Sequence, residues 1–164
     1  MTLERLWAGW RSEYVGSAGA PDDGGECLFC ALAAAPDDEA LVVARDDRMF
    51  TVLNLFPYTS GHMMVAPLRH EGDLEALEPD DATALMWMTQ RATAAVKDAY
   101  APDGVNVGMN LGRAAGAGVP GHLHVHVVPR WIGDTNFMTA VAETRVLPET
   151  LDASLERLRA AWHG

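Results

Sequence analysis

Three of the six histidines in this 164-residue chain stand at positions 122, 124 and 126, interleaved with Leu123, Val125 and Val127. Side chains alternate between faces along an extended strand. The three imidazoles would therefore share one side, about 6.6 Å apart, while the aliphatic residues turn to a core. Three uses fit such a row: a polar, solvated strand face, a metal site of three nitrogens, or nucleophilic and acid–base catalysis. Polar strand faces are mostly built from Thr, Lys and Glu. An imidazole with a pKa near 6.5 offers a neutral nucleophile beside a protonated donor. Catalysis is the preferred reading. Its natural target is an anion, because the segment GRAAGAGVPG (112–121) directly before the histidines contains four glycines and a proline. Glycines let backbone N–H groups close on phosphate oxygens in a nest that needs no side-chain charge. Arg69, Arg113 and Arg130 are the charged candidates nearby.

A second cluster is Cys27-Leu28-Phe29-Cys30, a C-x-x-C pair. It reads as a redox site, as half of a zinc site needing two more nitrogen or sulfur ligands, or as two buried free thiols. No βαβ context is evident for the redox reading.

The rest of the composition narrows the class. One domain is expected from the length. With 12 basic and 23 acidic residues the net charge is −11, which argues against a dedicated nucleic-acid or anionic-membrane binder. No apolar run approaches the length of a bilayer span. Glu4, Arg5, Arg11 and Glu13 break up the apolar residues of the N-terminus, against a secretory signal. Two cysteines make no disulfide framework, and their spacing points to a reducing cytoplasm.

The elements that must position these groups follow from periodicity. Leu3, Leu6, Trp7, Trp10 and Tyr14 give a short amphipathic segment over 3–15, followed by a Gly-rich acidic linker over 16–26. Strands are expected over 41–45, 48–55 and 62–68, with FPYTSG (56–61) reversing the chain. A long helix over 80–100 carries the stripe Leu85, Met88, Ala92, Ala95 and Val96, with Asp80 or Asp81 as its cap. Strands over 104–112 and 122–131 flank the glycine loop. A final helix opened by Pro148 carries Leu151, Leu155, Leu158 and Trp162. Antiparallel runs around one long helix make the fold class α+β. Met63, Met64, Met86 and Met88 read as core filling, Arg130 as a partner of Asp134, and His163 as a solvent-exposed tail residue.

His122-Leu-His124-Val-His126-Val-Val resembles the signature of the histidine triad (HIT) family of nucleotide hydrolases and transferases. The resemblance extends through Asn54-Leu-Phe-Pro-Tyr-Thr-Ser-Gly-His62 and Asn110-Leu-Gly112, and covers about residues 27–138. It implies a HIT-like five-stranded antiparallel sheet with one long helix, a C-terminal helix and a dimeric assembly. It divides the chain into an N-terminal extension and linker (1–26), a HIT domain (27–138) and a C-terminal helical extension (139–164). Carried over residue by residue, His124 is the nucleophile that takes the α-phosphorus as a nucleotidyl-imidazole. His126 and His62 bond phosphate oxygens or fix the imidazole tautomer. Asn54, Asn110, Gly112, Gly118, Val119, His124 and His126 bind the nucleotide, Asn54 through a ribose hydroxyl. Zinc-containing bacterial members supply the missing ligands, so that Cys27, Cys30, His70 and His122 hold a structural zinc.

Within the family the N-terminal Leu6-Trp7-Ala-Gly-Trp10-Arg11-Ser-Glu-Tyr14 resembles bacterial members grouped with dinucleoside polyphosphate cleavage. So does Pro129-Arg130-Trp131 followed by Gly133-Asp134-Thr135-Asn136-Phe137. Phosphoramidate hydrolases and animal dinucleotide hydrolases carry Gln and Ser or Thr where this chain has Gly118 and Val119. Gly112 stands where some hydrolases keep a glutamine. Without that amide to orient a water, room opens for a larger acceptor such as orthophosphate. The expected function is cleavage of dinucleoside polyphosphates of the diadenosine tetraphosphate type, with water or phosphate as acceptor. The alternatives are a purine nucleoside phosphoramidate hydrolase, a nucleotide-binding sensor with little turnover, and a zinc-stabilised interaction module.

Overall fold

A computed structural model of the chain describes residues 27–134 and 148–163. The amphipathic segment 3–15, the linker 16–26, Trp7, Trp10 and the stretch Thr135–Phe137 lie outside the described residues.

Helix α1 (Leu28–Ala34) is followed by strands β1 (Val42–Arg45), β2 (Met49–Leu53) and β3 (Met63–Pro67). Then come the long helix α2 (Pro79–Tyr100), strands β4 (Gly104–Met109) and β5 (Val125–Arg130), and helix α3 (Leu151–Ala160). The strands make one antiparallel sheet in the order β1-β2-β3-β5-β4. This is the α+β architecture expected from the sequence, with strand ends trimmed by one to three residues.

Period-2 alternation sorts the side chains into two cores. Met49, Leu53, Met63, Val65, Val125 and Val127 face α2 and α3, where Leu85, Met88, Ala92, Val96, Leu155 and Leu158 meet them. Phe50, Val52, Met64 and Ala66 face the other way, onto Phe29 of α1. Met64 pairs across the ladder with His126, so the histidine face is the one that α1 partly covers. Met63, Met64 and Met88 are buried as expected, whereas Met86 is 54% exposed on the outer side of α2. Met86 falls outside the stripe that reaches the sheet.

Two caps differ from expectation. Glu78, without a side-chain bond, precedes α2, and Pro79 takes the first helical position, where its missing N–H costs nothing. Asp80 and Asp81 lie in the first turn, where they face the positive end of the helix dipole. Asp81 pairs with Arg48 at 2.6 Å and Arg69 at 3.7 Å, so Arg48 draws it off the cap. For α3 the cap is Thr150, whose hydroxyl accepts the Ala153 N–H at 3.3 Å, rather than Pro148. The Arg159 guanidinium donates to the Val42 carbonyl at 2.6 and 3.0 Å and latches α3 to β1. Among the described residues no helix is long and apolar enough to cross a membrane.

One glycine holds the turn that delivers His62. Gly61 sits at φ +79° in the left-handed region, and a Cβ there would lie 2.6 Å from the Tyr100 ring. A Gly61→Ala change should destabilise the fold by about 2–4 kcal/mol, from the backbone conformation and the clash together. Chemical denaturation measures it, and a loss under 0.5 kcal/mol (roughly the scale of a neutral surface change) would contradict the account.

Candidate active site and metal centre

The expected strand of histidines is only half a strand. β5 begins at Val125, where it first pairs with Val65 of β3. Residues 122–124 are held instead by the Leu123 N–H, which donates to the Glu71 carbonyl at 2.6 Å. The alternation nonetheless survives, because Leu123, Val125 and Val127 enter the helix-side core. His122, His124 and His126 turn to the opposite face. His62, delivered by the turn before β3, joins them there, its ring 5.2 Å from that of His126.

Hydrogen bonds fix the tautomers of this row. His62 Nδ1 accepts the Tyr58 backbone N–H at 3.1 Å. The Asn54 Nδ2 group lies 3.4 Å from the same nitrogen, and Asn54 Oδ1 accepts the Phe56 N–H at 2.9 Å. Neutral His62 therefore carries its proton on Nε2, which donates to His126 Nδ1 at 3.0 Å. That leaves the His126 proton on Nε2. His124 donates from Nδ1 to the His122 carbonyl at 2.8 Å, which puts its lone pair on Nε2. One further ring, His126, stands edge-on 5.0 Å away.

Burial sets the charge state. It lowers the pKa of His124, and it pushes that of His126 down to about 4, with the nearby His124 adding a smaller effect in the same direction. Near pH 7 both rings are neutral. The sequence-based expectation of a protonated donor coexisting with a neutral nucleophile is corrected here: the donor is a neutral N–H. The consequence for stability has a definite sign. Unfolded His126 takes a proton near pH 6.5, whereas the folded ring, facing His62, His124 and Tyr58, resists it down to about 4. Stability is thus held above pH 6.5 and lost as the pH falls toward 4. His126→Asn should flatten that loss by about 2 kcal/mol, allowing for partial exposure. Urea unfolding at pH 7.5 and 4.5 checks it, and equal pH dependence in the two proteins would count against it.

The metal candidates converge. Donor atoms of Cys27, Cys30, His70 and His122 all lie within 4.8 Å of one another. His122 Nδ1 is 3.3 Å from Cys27 Sγ and 3.7 Å from Cys30 Sγ, and His70 Nδ1 is 3.4 Å from Cys30 Sγ. Zinc with bonds of about 2.3 Å to sulfur and 2.0–2.1 Å to nitrogen places tetrahedral neighbours about 3.6 Å apart. His122 Nε2 donates to the Pro67 carbonyl at 2.8 Å, which leaves the Nδ1 lone pair for the metal. The residues fit a closed Cys₂His₂ site able to bind zinc, which would tie α1 to the loop after β3 and to the segment before β5.

The middle of the glycine loop, read from the sequence as an anion nest, closes partly on itself. Arg113–Ala115 is a single 3₁₀ turn. The amides of Ala115, Gly116 and Ala117 are spent on the carbonyls of Gly112 and Arg113. Asn110 Nδ2 donates to the Gly116 carbonyl at 3.4 Å. Gly112 and Gly118 are exposed, while Val119 packs at the edge of the α1-side core. Arg130 is engaged by Asp134 (2.5 and 2.8 Å) and Asn106 (2.9 Å), as expected for Asp134. Arg69 is engaged by Glu71 and Asp81. His163 is exposed as expected, and pairs with Asp98 at 3.2 Å. Two aromatic rings packed on the histidines escaped the sequence reading. Phe29 lies against His124 and Tyr58 over His62, each 4.7 Å between centroids. Their only sequence signal is adjacency, inside the C-x-x-C and four residues before His62.

Residues 35–131 match the HIT domain family model. Over 165 residues the chain is 41% identical to a Mycobacterium tuberculosis protein named AP-4-A phosphorylase, spanning 98% of this chain and 85% of that one. Among solved structures it is similar to a zinc-bound histidine triad family protein from Mycobacterium smegmatis. That likeness has a TM-score of 0.68 and 34% identity over 83% of this chain and 92% of the other. A hypothetical histidine triad nucleotide-binding protein from Sulfolobus tokodaii aligns at TM-score 0.67 and 27% identity, over 82% and 91% of the two chains. With its five-stranded sheet, its row of histidines and its Cys₂His₂ cluster, the chain belongs to the histidine triad family and is an enzyme of that family.

Proposed function

We propose that this protein cleaves dinucleoside polyphosphates of the diadenosine tetraphosphate type through a nucleotidyl-His124 intermediate. The observation that carries the reading is the tautomer of His124: its Nδ1–H is committed to the His122 carbonyl, so Nε2 presents the lone pair. In the first half-reaction Nε2 bonds the α-phosphorus and the polyphosphate leaves on its own oxygen. His126, kept as the Nε2–H tautomer by His62, donates that proton to a phosphate oxygen. Tyr58 N–H and Asn54 set the tautomer at the far end of this relay. Asn54 also offers its amide to a ribose hydroxyl, and Asn110, Gly112, Gly118 and Val119 form the wall of the nucleotide site. In the second half-reaction an acceptor oxygen displaces the imidazole.

Orthophosphate is the acceptor we favour, supported by the name of the mycobacterial relative and by Gly112 in place of a water-orienting amide. Cys27, Cys30, His70 and His122 hold zinc in a structural role, away from the reacting atoms. With phosphate present, diadenosine tetraphosphate should yield ADP and ATP; with water as acceptor it yields AMP and ATP. Anion-exchange profiles with and without phosphate decide, and AMP as the sole new monophosphate or diphosphate product at millimolar phosphate would overturn phosphorolysis.

The reducing cytoplasm suits the thiols of the cluster. The division that goes with this reading is a HIT body over 27–138 flanked by an N-terminal extension (1–26) and a C-terminal extension (139–164). A homodimer is proposed through the outer face of α2 and β4. There Met86 and Val107, 54% and 49% exposed, line a shallow groove, and β4 is an edge strand. Val107→Lys should shift the mass measured by light scattering from two chains to one.

A further inference from the structure

Phe29 stands between the two cysteines of the metal cluster, and its ring lies nearly flat on His124. The centroids are 4.7 Å apart with the planes at 28°. The ring is 1% exposed and is backed edge-on by Phe50 at 6.4 Å. His124 is thereby held on three sides: at Nδ1 by the His122 carbonyl, on its face by Phe29, and at its edge by His126.

We propose that Phe29 is a positioning residue for nucleotidyl transfer, fixing the plane of the His124 ring and stabilising the positive charge that the ring acquires when it bonds phosphorus. The inference rests on the reading of His124 as the nucleophile. In that step the Nε2 lone pair forms the N–P bond. The P–O bond to the leaving polyphosphate breaks, and its electron pair stays on the departing oxygen. Nδ1 keeps its proton on the His122 carbonyl, so an imidazole that was neutral becomes a phosphoimidazolium. The charge vanishes again when the acceptor oxygen displaces the ring and the N–P pair returns to Nε2. An aromatic face over a desolvated cation is attractive through its quadrupole. An attraction that exists only once charge develops raises kcat and leaves KM alone. The position of Phe29 also gives the metal cluster a second task. Fixing Cys27 and Cys30 fixes the backbone on either side of the ring, and so the platform beneath the nucleophile.

The test replaces Phe29 in the full-length, zinc-loaded protein by mono-, di- and trifluorinated phenylalanine. Fluorination drains the negative potential of the ring face at almost constant size. Rapid-quench mass spectrometry with diadenosine tetraphosphate reads the rate of adduct formation on His124. That rate should fall stepwise, by about tenfold across the series, while KM, zinc content and melting temperature stay put. Phe29→Leu should lose a similar factor in kcat and Phe29→Tyr should restore it. If the leucine variant sheds zinc, the fluorinated series decides alone. A flat series, with adduct forming at equal rates throughout, overturns this inference and leaves the reading of His124 standing. An unsubstituted protein that never forms an adduct overturns that reading and the inference together.

Discussion

Replacing His124 by Asn should lower turnover of diadenosine tetraphosphate by about 10⁴-fold or more, the scale on which nucleophile deletions act. Affinity for a non-cleavable analogue should change by no more than a few-fold. The asymmetry follows from the geometry. His124 is 6% exposed and bound to its own chain through Nδ1, so it offers substrate one ring nitrogen and little binding surface. Asn has no lone pair of comparable nucleophilicity to place at Nε2. His62→Ala tests the relay in the same assay. It removes the donor that sets the His126 tautomer at 3.0 Å, and should cost about 10²–10³-fold as a general-acid defect. A His124→Asn protein that keeps a tenth of its turnover would end the covalent reading.

Cys30→Ser should produce the largest change in stability. Cys30 Sγ lies 3.4 Å from His70 Nδ1 and 3.7 Å from His122 Nδ1, at the centre of the cluster. A metal held a thousandfold above its dissociation constant contributes about 4 kcal/mol to the folded state. For a chain of this size that corresponds to a fall in melting temperature of roughly 8–16 °C. Chelation of the wild type should reproduce the shift, and the variant should no longer respond to chelator. Residual turnover at low temperature should persist, because the reacting groups keep the two hydrophobic cores beneath them. Melting of zinc-stripped wild type at the holoprotein temperature would refute a structural role for the metal.

How much of this was legible beforehand depended on the range of the interaction. The alternation along 122–127 and the stripe on α2 are local patterns, and the first correctly separated the aliphatic face from the imidazole face. The start of β5 was not legible, because what holds residues 122–124 is a bond to Glu71, about fifty residues away, and periodicity carries no trace of it. The cap of α2 was misjudged for the same reason: Asp81 is drawn off by Arg48, which the sequence places 33 positions earlier. Composition suggested a nest in the glycine loop but carried no sign that the amides of Ala115, Gly116 and Ala117 bond back to Gly112 and Arg113. The ligand set of the cluster came through family resemblance, since two of its members lie 40 and 92 positions from Cys30. Phe29 was invisible as a site residue: an aromatic between two cysteines is ordinary core until the fold lays it on His124.

The two borders of the sheet are not alike, and the difference limits how copies of the chain can join. β1 is only four residues long, its register with β2 slips between Val42 and Ala44, and α3 is clamped to it by Arg159. β4 is longer and pairs with β5 without interruption over six positions. A border that is short, kinked and covered rejects a new neighbour, whereas a long regular one admits it. Were copies to add along β4, as the proposed homodimer requires, the described part of the β1 border would offer no like surface from which to continue, and the addition would close as a pair instead of growing into a fibre.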